Sequence, residues 1–255
     1  MGVELLEDKV VVITGAGGGL GRELAKAFCA HGAKVIGLGR STDKLTETKA
    51  IIGEGKFEIH CADVSDFTQV KNAVTRIIEK HGRIDVLFNN AAVYPKENFL
   101  EESARDFASA LLINVAGVAN TCKAALPSMI ENNFGRIFNL GSWADRAPIA
   151  DSAVYSASKG ALHALTKAIA VDIAHYNADV EIHEWLPGHL NTQMGDFSGM
   201  DPAVAGAWAV EIASKPHSSK RNCIYEHNWE WQPPKSLKKK LLSKVLFWKS
   251  QSLLT

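Results

Sequence analysis

The sequence KVVVITGAGGGLG, residues 9–21, decides the fold, because a run of β-branched residues passes directly into a glycine-rich turn. Apolar residues without polar alternation predict a strand that is buried on both faces of a parallel sheet. The glycines let the backbone come close to a ligand, and the helix that follows offers free N–H groups and its positive dipole end. In a βαβ unit such a turn binds the pyrophosphate of a dinucleotide, although a tight turn without a ligand is the alternative.

The rest of the chain alternates in the same way between apolar strands and amphipathic helices. Right-handed crossovers between such strands give a doubly wound parallel α/β sheet of the Rossmann type. We predict a single domain over residues 1–232, with about seven strands and helices on both faces, followed by a tail over residues 233–255. The predicted strands are 9–14, 33–38, 56–61, 84–89, 135–140, 179–185 and 222–227, and the predicted helices are 20–31, 43–52, 66–81, 102–131 and 152–177.

Helix starts are marked by short polar residues that can accept hydrogen bonds from free backbone N–H groups. We expect Ser65 or Asp66 to cap the third helix and Asp151 or Ser152 to cap the last one. Asp43 is expected to cap the second helix.

Composition excludes several classes of protein. The 28 basic and 28 acidic residues leave no net charge, which argues against nucleic acid as a partner. The four cysteines show neither a CxxC pair nor a zinc spacing, so we expect reduced thiols in an intracellular protein. The start carries no apolar signal segment, and no apolar run approaches the ~20 residues that span a bilayer. A cytoplasmic location is expected.

Tyr155 and Lys159 lie four residues apart in a predicted helix, so their side chains share one face. A phenol has a pKa near ~10, and a neighbouring cation favours its charged form. The lysine can therefore make the tyrosine a usable proton donor and acceptor. Chance is the alternative, since this pair also occurs in ordinary helices.

The spacing of Gly15, Gly19 and Gly21, together with Tyr155 and Lys159, resembles the short-chain dehydrogenase/reductase family. The resemblance extends over residues ~8 to ~195 and includes CADV at 61–64, NNAA at 89–92 and PGHLNT at 187–192. Asn114 and Ser142, which lies 13 residues before Tyr155, also match. The family's frequent glycine pair after the last strand is missing.

This resemblance implies an oxidoreductase that transfers hydride between a nicotinamide cofactor and a carbonyl or alcohol group. It implies that Tyr155 protonates the carbonyl oxygen, that Ser142 hydrogen-bonds the same oxygen, and that Lys159 holds the nicotinamide ribose. Asn114 would help to hold the water that links Lys159 to solvent. Besides Tyr155 and Lys159, the implied cofactor contacts are Gly15, Gly17, Gly19, Leu20, Gly21, Arg40, Asp63, Val64, Asn90, Ala91, Pro187, Gly188 and Thr192.

The end of the second strand indicates which cofactor is used. An NAD-binding protein places a carboxylate there for the ribose hydroxyls, but this chain has Gly39 followed by Arg40. A guanidinium can pair with the 2′-phosphate of NADP, and glycine leaves it room. We therefore expect NADP(H) in preference to NAD(H), although Arg40 can instead be a solvated residue, and Gly17 and Gly18 stand where the family's second basic NADP contact would be.

Substrate contacts are expected in the loops beyond the carboxyl ends of the strands. Besides Ser142 and Tyr155, we expect Tyr94, Trp143, Ile149 and His189 to contact the substrate. These mostly apolar side chains favour a lipophilic ketone or secondary alcohol, unless they pack only on each other. The histidines show no metal-ligand pattern, so we expect no metal.

The tail from Pro233 onward has six lysines, no acidic residue and apolar residues at helical spacing. A helix packed on the domain or on a second subunit is the preferred interpretation, and an anionic membrane surface is the alternative. The family usually associates through its two long helices, so a homodimer or homotetramer is expected. The alternatives to an NADP(H)-dependent carbonyl reductase are an NAD(H)-dependent hydroxysteroid- or retinol-type dehydrogenase at a membrane and a nucleotide sensor without catalysis.

Overall fold

The computed structural model describes residues 6–53, 55–216 and 221–232. Within these residues the strands form one eight-stranded sheet in the order β3-β2-β1-β4-β5-β6-β7-β8. All neighbouring pairs are parallel except β7 and β8, which are antiparallel. The strands are β1 Val10–Thr14, β2 Lys34–Gly39, β3 Phe57–Cys61, β4 Val86–Asn89, β5 Gly135–Leu140, β6 Val180–Leu186, β7 Ile224–Glu226 and β8 Trp229–Glu230.

Helices cover both faces of this sheet, as the alternating pattern predicted for a doubly wound Rossmann-type fold. In the described residues they are α1 Gly19–Ala30, α2 Thr42–Ile52, α3 Phe67–His81, α4 Ala104–Leu111, α5 Gly117–Glu131, α6 Ala153–Ala174 and α7 Pro202–Ala213. Helices α1 and α7 pack together, and α3 packs on α5. The first six predicted strands and the five predicted helices are therefore confirmed to within about two residues at most ends.

The core lies on both sides of the sheet, which explains why β1 has no polar alternation. Val11 and Ile13 belong to an apolar cluster with residues of α1 and α7. Val10 and Val12 belong to the opposite cluster with residues of α3, α5 and α6. Each fully buried side chain of this size contributes about 1.5–3 kcal/mol relative to an exposed one. Both faces of β1 therefore anchor the turn that follows it.

Three elements differ from the sequence prediction. The predicted helix 102–131 contains a π-helical turn at Leu112–Ala116, which separates α4 from α5. Helix α7 was not predicted, and neither was β8, which adds an eighth strand to the expected seven. By length and composition alone the combined helix Ala104–Glu131 is apolar enough to cross a membrane, but core helices of globular domains satisfy the same criterion.

Two of the three cap predictions were correct in position. Asp66 caps α3, and its carboxylate accepts hydrogen bonds from the backbone N–H groups of Thr68 and Gln69. Ser152 occupies the N-cap position of α6. The prediction for Asp43 was wrong, because Ser41 caps α2 by accepting from Lys44 N, and Asp43 lies inside the first turn. The basic tail 233–255 lies outside the described residues.

Candidate active site

A cleft of about 1000 Å³ opens at the carboxyl ends of the parallel strands. The glycine turn after β1 forms part of its wall, and residues that follow β2, β3, β4, β5 and β6 form most of the remainder. Of the predicted site residues, those that line it are Gly15, Gly17, Gly19, Leu20, Arg40, Asp63, Val64, Asn90, Ala91, Tyr94, Ser142, Trp143, Ile149, Tyr155, Lys159, Pro187, Gly188, His189 and Thr192. Gly21 and Asn114 do not line the cleft, but they contact residues that do.

The glycine turn is shaped for close approach of a ligand. Gly15 and Gly19 have φ angles of 69° and 50°, in the left-handed region that glycine adopts without strain. A Cβ built on Gly18 would meet nothing within 4 Å, so this side of the turn is open. Gly18 caps α1 without a side-chain hydrogen bond, and no acidic residue lies in the first turn of α1. These features fit a pyrophosphate.

Gly21 has a packing role. A Cβ on Gly21 would lie 2.2 Å from the carbonyl oxygen of Gly15 and 2.6 Å from Nδ2 of Asn90. The absence of a side chain therefore lets the first turn of α1 fold back onto the loop. The prediction of Gly21 as a cofactor contact stays a prediction beside this packing role.

Asn90 ties the loop after β4 to the glycine turn. Its side-chain amide donates to the carbonyl of Thr14 at 2.9 Å. In return the Thr14 hydroxyl oxygen accepts from the backbone N–H groups of Asn90 and Ala91 at 3.0 and 2.9 Å. The two loops that flank the cleft are thereby held in one fixed arrangement.

Two basic residues reach the cleft at the end of β2. The guanidinium of Arg40 is exposed and lies 3.8 Å from the carboxylate of Asp63. Lys44, in the first turn of α2, lines the same end of the cleft beside Ser41. A Cβ on Gly17 would lie 2.8 Å from Cβ of Lys44, so this lysine borders the glycine turn itself. Lys44 is thus a basic residue beside the part of the turn where the sequence shows only glycines.

Asn114 lies in the π-helical turn and is buried. Its side-chain oxygen accepts from Val93 N at 2.8 Å, while its Nδ2 donates to Val93 O at 2.9 Å and to the Ser158 hydroxyl at 3.0 Å. π-Helical turns occur often at functional sites. Here the turn places one amide so that it joins the loop after β4 to the helix that carries Tyr155 and Lys159.

Ser142, Tyr155 and Lys159 converge on one wall of the cleft. The Ser142 hydroxyl lies close enough to the Tyr155 phenol to interact with it. The Lys159 ammonium lies 5.3 Å from the centroid of the Tyr155 ring and donates to the carbonyl of Leu140 at 2.6 Å. This arrangement can deliver a proton to an oxygen bound beside Tyr155.

The sequence predicted that Lys159 lowers the pKa of the Tyr155 phenol, but in the structure this pKa is raised. Burial raises the pKa of the Tyr155 phenol, and the interaction with Ser142 only partly offsets this. Burial lowers the pKa of Lys159 to about 8, and the nearby Glu184 carboxylate opposes that change. The ammonium is directed to the backbone carbonyl of Leu140 and not to the phenol. The tyrosine is therefore a proton donor at neutral pH in this state.

Aromatic side chains form the substrate end of the cleft. The ring of Tyr94 stacks on Tyr155 with centroids 4.5 Å apart. The Trp143 indole donates to the Glu226 carboxylate at 2.9 Å, and the ring centroids of Trp143 and Trp231 are 5.4 Å apart. Ile149 is 70% exposed, so it stands at the rim. His189 also lines the cleft, and its Nε2 hydrogen-bonds the Ser198 hydroxyl at 2.8 Å.

Comparison with known proteins agrees with this geometry. Residues 9–202 match the family described as short chain dehydrogenase. The chain belongs to this family. It is 37% identical to the oxidoreductase UcpA of Salmonella typhimurium over 193 residues, which cover 75% of this chain and 73% of that protein.

Two further proteins are similar over more of the chain. The NADPH-dependent pterin aldehyde reductase of Arabidopsis thaliana is 34% identical, with 81% of this chain and 86% of that protein covered. The crystal structure of levodione reductase is 27% identical and superposes with a TM-score of 0.79 over 86% of this chain and 96% of that one. The doubly wound fold and membership of an oxidoreductase family that binds NAD(P)(H) are thus established for this chain.

Sequence reasoning missed the cleft residues Ser41 and Lys44 and the support residues Ser158 and Glu226. Ser41 had a usable signal, because a serine before a helical pattern is a common N-cap and places the third residue after it in the first turn. Glu226 had none, since it meets Trp143 across 83 residues of sequence. Contacts of this kind depend on the tertiary fold.

Proposed function

We propose that this short-chain dehydrogenase is an NADP(H)-dependent oxidoreductase that interconverts a ketone or aldehyde and the corresponding alcohol, with Tyr155 as general acid and base. The observation that carries the proposal is the convergence of Ser142, Tyr155 and Lys159 on a cleft whose other end is the open glycine turn. A nucleotide sensor has no need of this constellation.

The protein's own groups account for the proton in this reaction. The bound nicotinamide supplies or accepts the hydride. In the reduction direction the Tyr155 phenol, which its raised pKa keeps protonated, donates its proton to the substrate oxygen. Ser142 hydrogen-bonds the same oxygen and restricts where it can lie. Such proton transfer by a positioned group accelerates reactions by about 10²–10⁴-fold.

The preference for NADP(H) rests on charge at the end of β2. Arg40 and Lys44 present two cations, and the capped start of α2 adds the positive end of its dipole. A 2′-phosphate at this end of the cleft would be attracted by all three. The similarity to an NADPH-dependent reductase points the same way.

The character of the substrate follows from the apolar and aromatic walls. Tyr94, Trp143 and Ile149 offer ring faces and an aliphatic side chain, and the Trp143 N–H is already bonded to Glu226. These surfaces favour a lipophilic small molecule.

We also infer a homodimer or homotetramer, because Leu112 and Val171 on the long helices are 54% and 65% exposed. Light scattering would determine the oligomeric state.

A screen of NADPH consumption over aliphatic, aromatic and steroidal ketones and aldehydes tests the proposal. We expect oxidation of NADPH with at least one lipophilic carbonyl compound, and much slower oxidation with NADH. A matched screen with the Tyr155→Phe protein separates catalysis at this site from contaminating activity. Binding of NADPH without turnover of any carbonyl or alcohol in either direction would support a sensor instead.

A further inference from the structure

A buried carboxylate stands behind the catalytic lysine and has no part in the reaction described so far. Glu184 lies on β6 with 6% of its side chain exposed. Its carboxylate packs against the backbone of Gly141, where a built Cβ would lie 2.2 Å from Oε1. Gly141 lies between Leu140 and Ser142 in the sequence, and the Leu140 carbonyl accepts a hydrogen bond from the Lys159 ammonium. Glu184 is therefore placed against the strand end that holds both catalytic groups.

The Glu184 carboxylate is held in this position by an imidazole. His163 Nδ1 lies 2.5 Å from Oε2 of Glu184. His163 follows Lys159 by four residues in α6, so both side chains lie on one helix face. The carboxylate thus binds a residue one helical turn after Lys159, and that histidine has 19% of its side chain exposed.

The other titratable groups near Lys159 do not supply a free negative charge that could offset the burial of its ammonium. Tyr155 is neutral while its phenol is protonated. Asp145, whose Cβ lies 3.7 Å from a Cβ built on Gly160, is paired with Arg146 at 3.7 Å. The Glu184 carboxylate, in contrast, opposes the lowering of the Lys159 pKa by burial.

We propose that Glu184 is a positioning residue that keeps the buried Lys159 ammonium charged and directed at Leu140. The physical reason is that an isolated ammonium loses its hydration on burial and is then favoured in the neutral form, unless an opposite charge compensates. A neutral lysine would lose its attraction for polar and anionic groups in the cleft. This role rests on the proposed function of Lys159, but the charge state can be measured without a substrate.

The experiment follows the titration of Lys159 by NMR in full-length protein labelled with ¹³C at lysine Cε, with a Lys159→Gln sample to assign the signal. In the wild type we expect the pKa of Lys159 at about 8. Glu184→Gln keeps the size of the side chain and removes its charge, so the midpoint should fall by about 1 pH unit or more. Glu184→Asp, which keeps the charge, should return the Lys159 midpoint most of the way to its wild-type value. If the glutamine variant fails to fold, Glu184→Ala should give the same downward shift.

A matched control exists on the same strand. Glu181 is also buried and also pairs with a histidine, His183, at 3.3 Å, but it lies three residues away from Glu184 along β6. Glu181→Gln should leave the Lys159 midpoint unchanged even if it lowers stability. An unchanged midpoint in Glu184→Gln, or an equal fall in Glu181→Gln, would overturn the proposal.

An activity measurement adds a second readout. In Glu184→Gln the alkaline decline of kcat should begin about 1 pH unit lower than in the wild type, and the Asp variant should restore it. If the wild-type protein turns over no carbonyl compound, the proposed function fails, while the NMR titration still decides the role of Glu184.

Discussion

The fold buries the Tyr155 phenol and raises its pKa above the ordinary value near ~10, because burial disfavours the charged form. Sequence spacing located this residue and its neighbour Lys159 correctly on one helix face. It could not give the direction in which the phenol pKa moves, because that is set mainly by how deeply the fold buries the phenol. Motif spacing identifies the groups, whereas burial decides their charge.

The Tyr155→Phe substitution tests the general acid directly. It removes the hydroxyl and leaves the ring that stacks on Tyr94. We expect kcat to fall by about 10²–10⁴-fold with little change in NADPH affinity, since only proton transfer is lost. Steady-state kinetics and fluorescence titration of NADPH measure the two quantities. Tyr176→Phe, at a tyrosine that is 65% exposed, is the matched control and should behave as wild type.

The Gly39→Asp substitution tests the origin of cofactor preference. A Cβ at Gly39 would make only ordinary contacts with Leu45, at 3.6 Å and beyond, so the residue fits. The new carboxylate should repel a 2′-phosphate and accept hydrogen bonds from ribose hydroxyls. A charge-assisted hydrogen bond contributes about 1.5–3 kcal/mol, so the kcat/KM ratio of NADPH to NADH should fall about tenfold or more.

The neutral variant Gly39→Asn serves as the control for this change. It has nearly the same shape and should alter the ratio much less. An unchanged ratio in Gly39→Asp would show that charge at the end of β2 does not set the preference.

At the scale of elements, strand β3 is joined to helix α3 by a charged cluster around Glu58. Its carboxylate binds Lys80 at 2.6 Å, His60 at 2.8 Å and His81 at 3.1 Å. Partial burial raises the Glu58 pKa, but these hydrogen bonds outweigh it and lower the value from 4.5 to about 2. The cluster therefore stabilises the folded state above pH 4.5 and loses this contribution as the pH falls through about 2.

We expect Glu58→Gln to lower the Tm by a few degrees at neutral pH. The difference from wild type should shrink as the pH falls from 4.5 to about 2, because protonation then removes the same charge in the wild type. Thermal unfolding followed by circular dichroism over this pH range measures it. Glu79→Gln, at an exposed position of α3, should show no such pH-dependent difference.

Periodicity predicted elements well where the core determines them and less well elsewhere. Strand β1 is buried on both faces, and its unbroken run of apolar residues reflects this, so the position of the strand was predictable. The π-helical turn was not, because one extra residue in a helix leaves the amphipathic pattern almost unchanged. Strand β8 has only two residues and forms by pairing with β7, so no local pattern marks it.

At the scale of the whole molecule, a ligand that binds the folded state alone raises its stability. At 100 times its Kd the gain is about 2.7 kcal/mol, which for a domain of this size raises Tm by about 5–10 °C. We expect NADPH to give such a shift and NADH at the same concentration to give less. Lys44→Gln should reduce the shift with NADPH and leave that with NADH unchanged. Equal shifts with both cofactors in the wild type would contradict the charge argument.

The close packing of Glu184 on Gly141 links the evolution of two distant positions. Because His163 fixes the carboxylate, it cannot yield to a side chain at position 141, where even a methyl group would overlap it. Alanine becomes acceptable at 141 only in a lineage that has already lost the glutamate. Substitutions at these two sites are therefore epistatic, and descendants of this protein should keep the glycine for as long as they keep the acid.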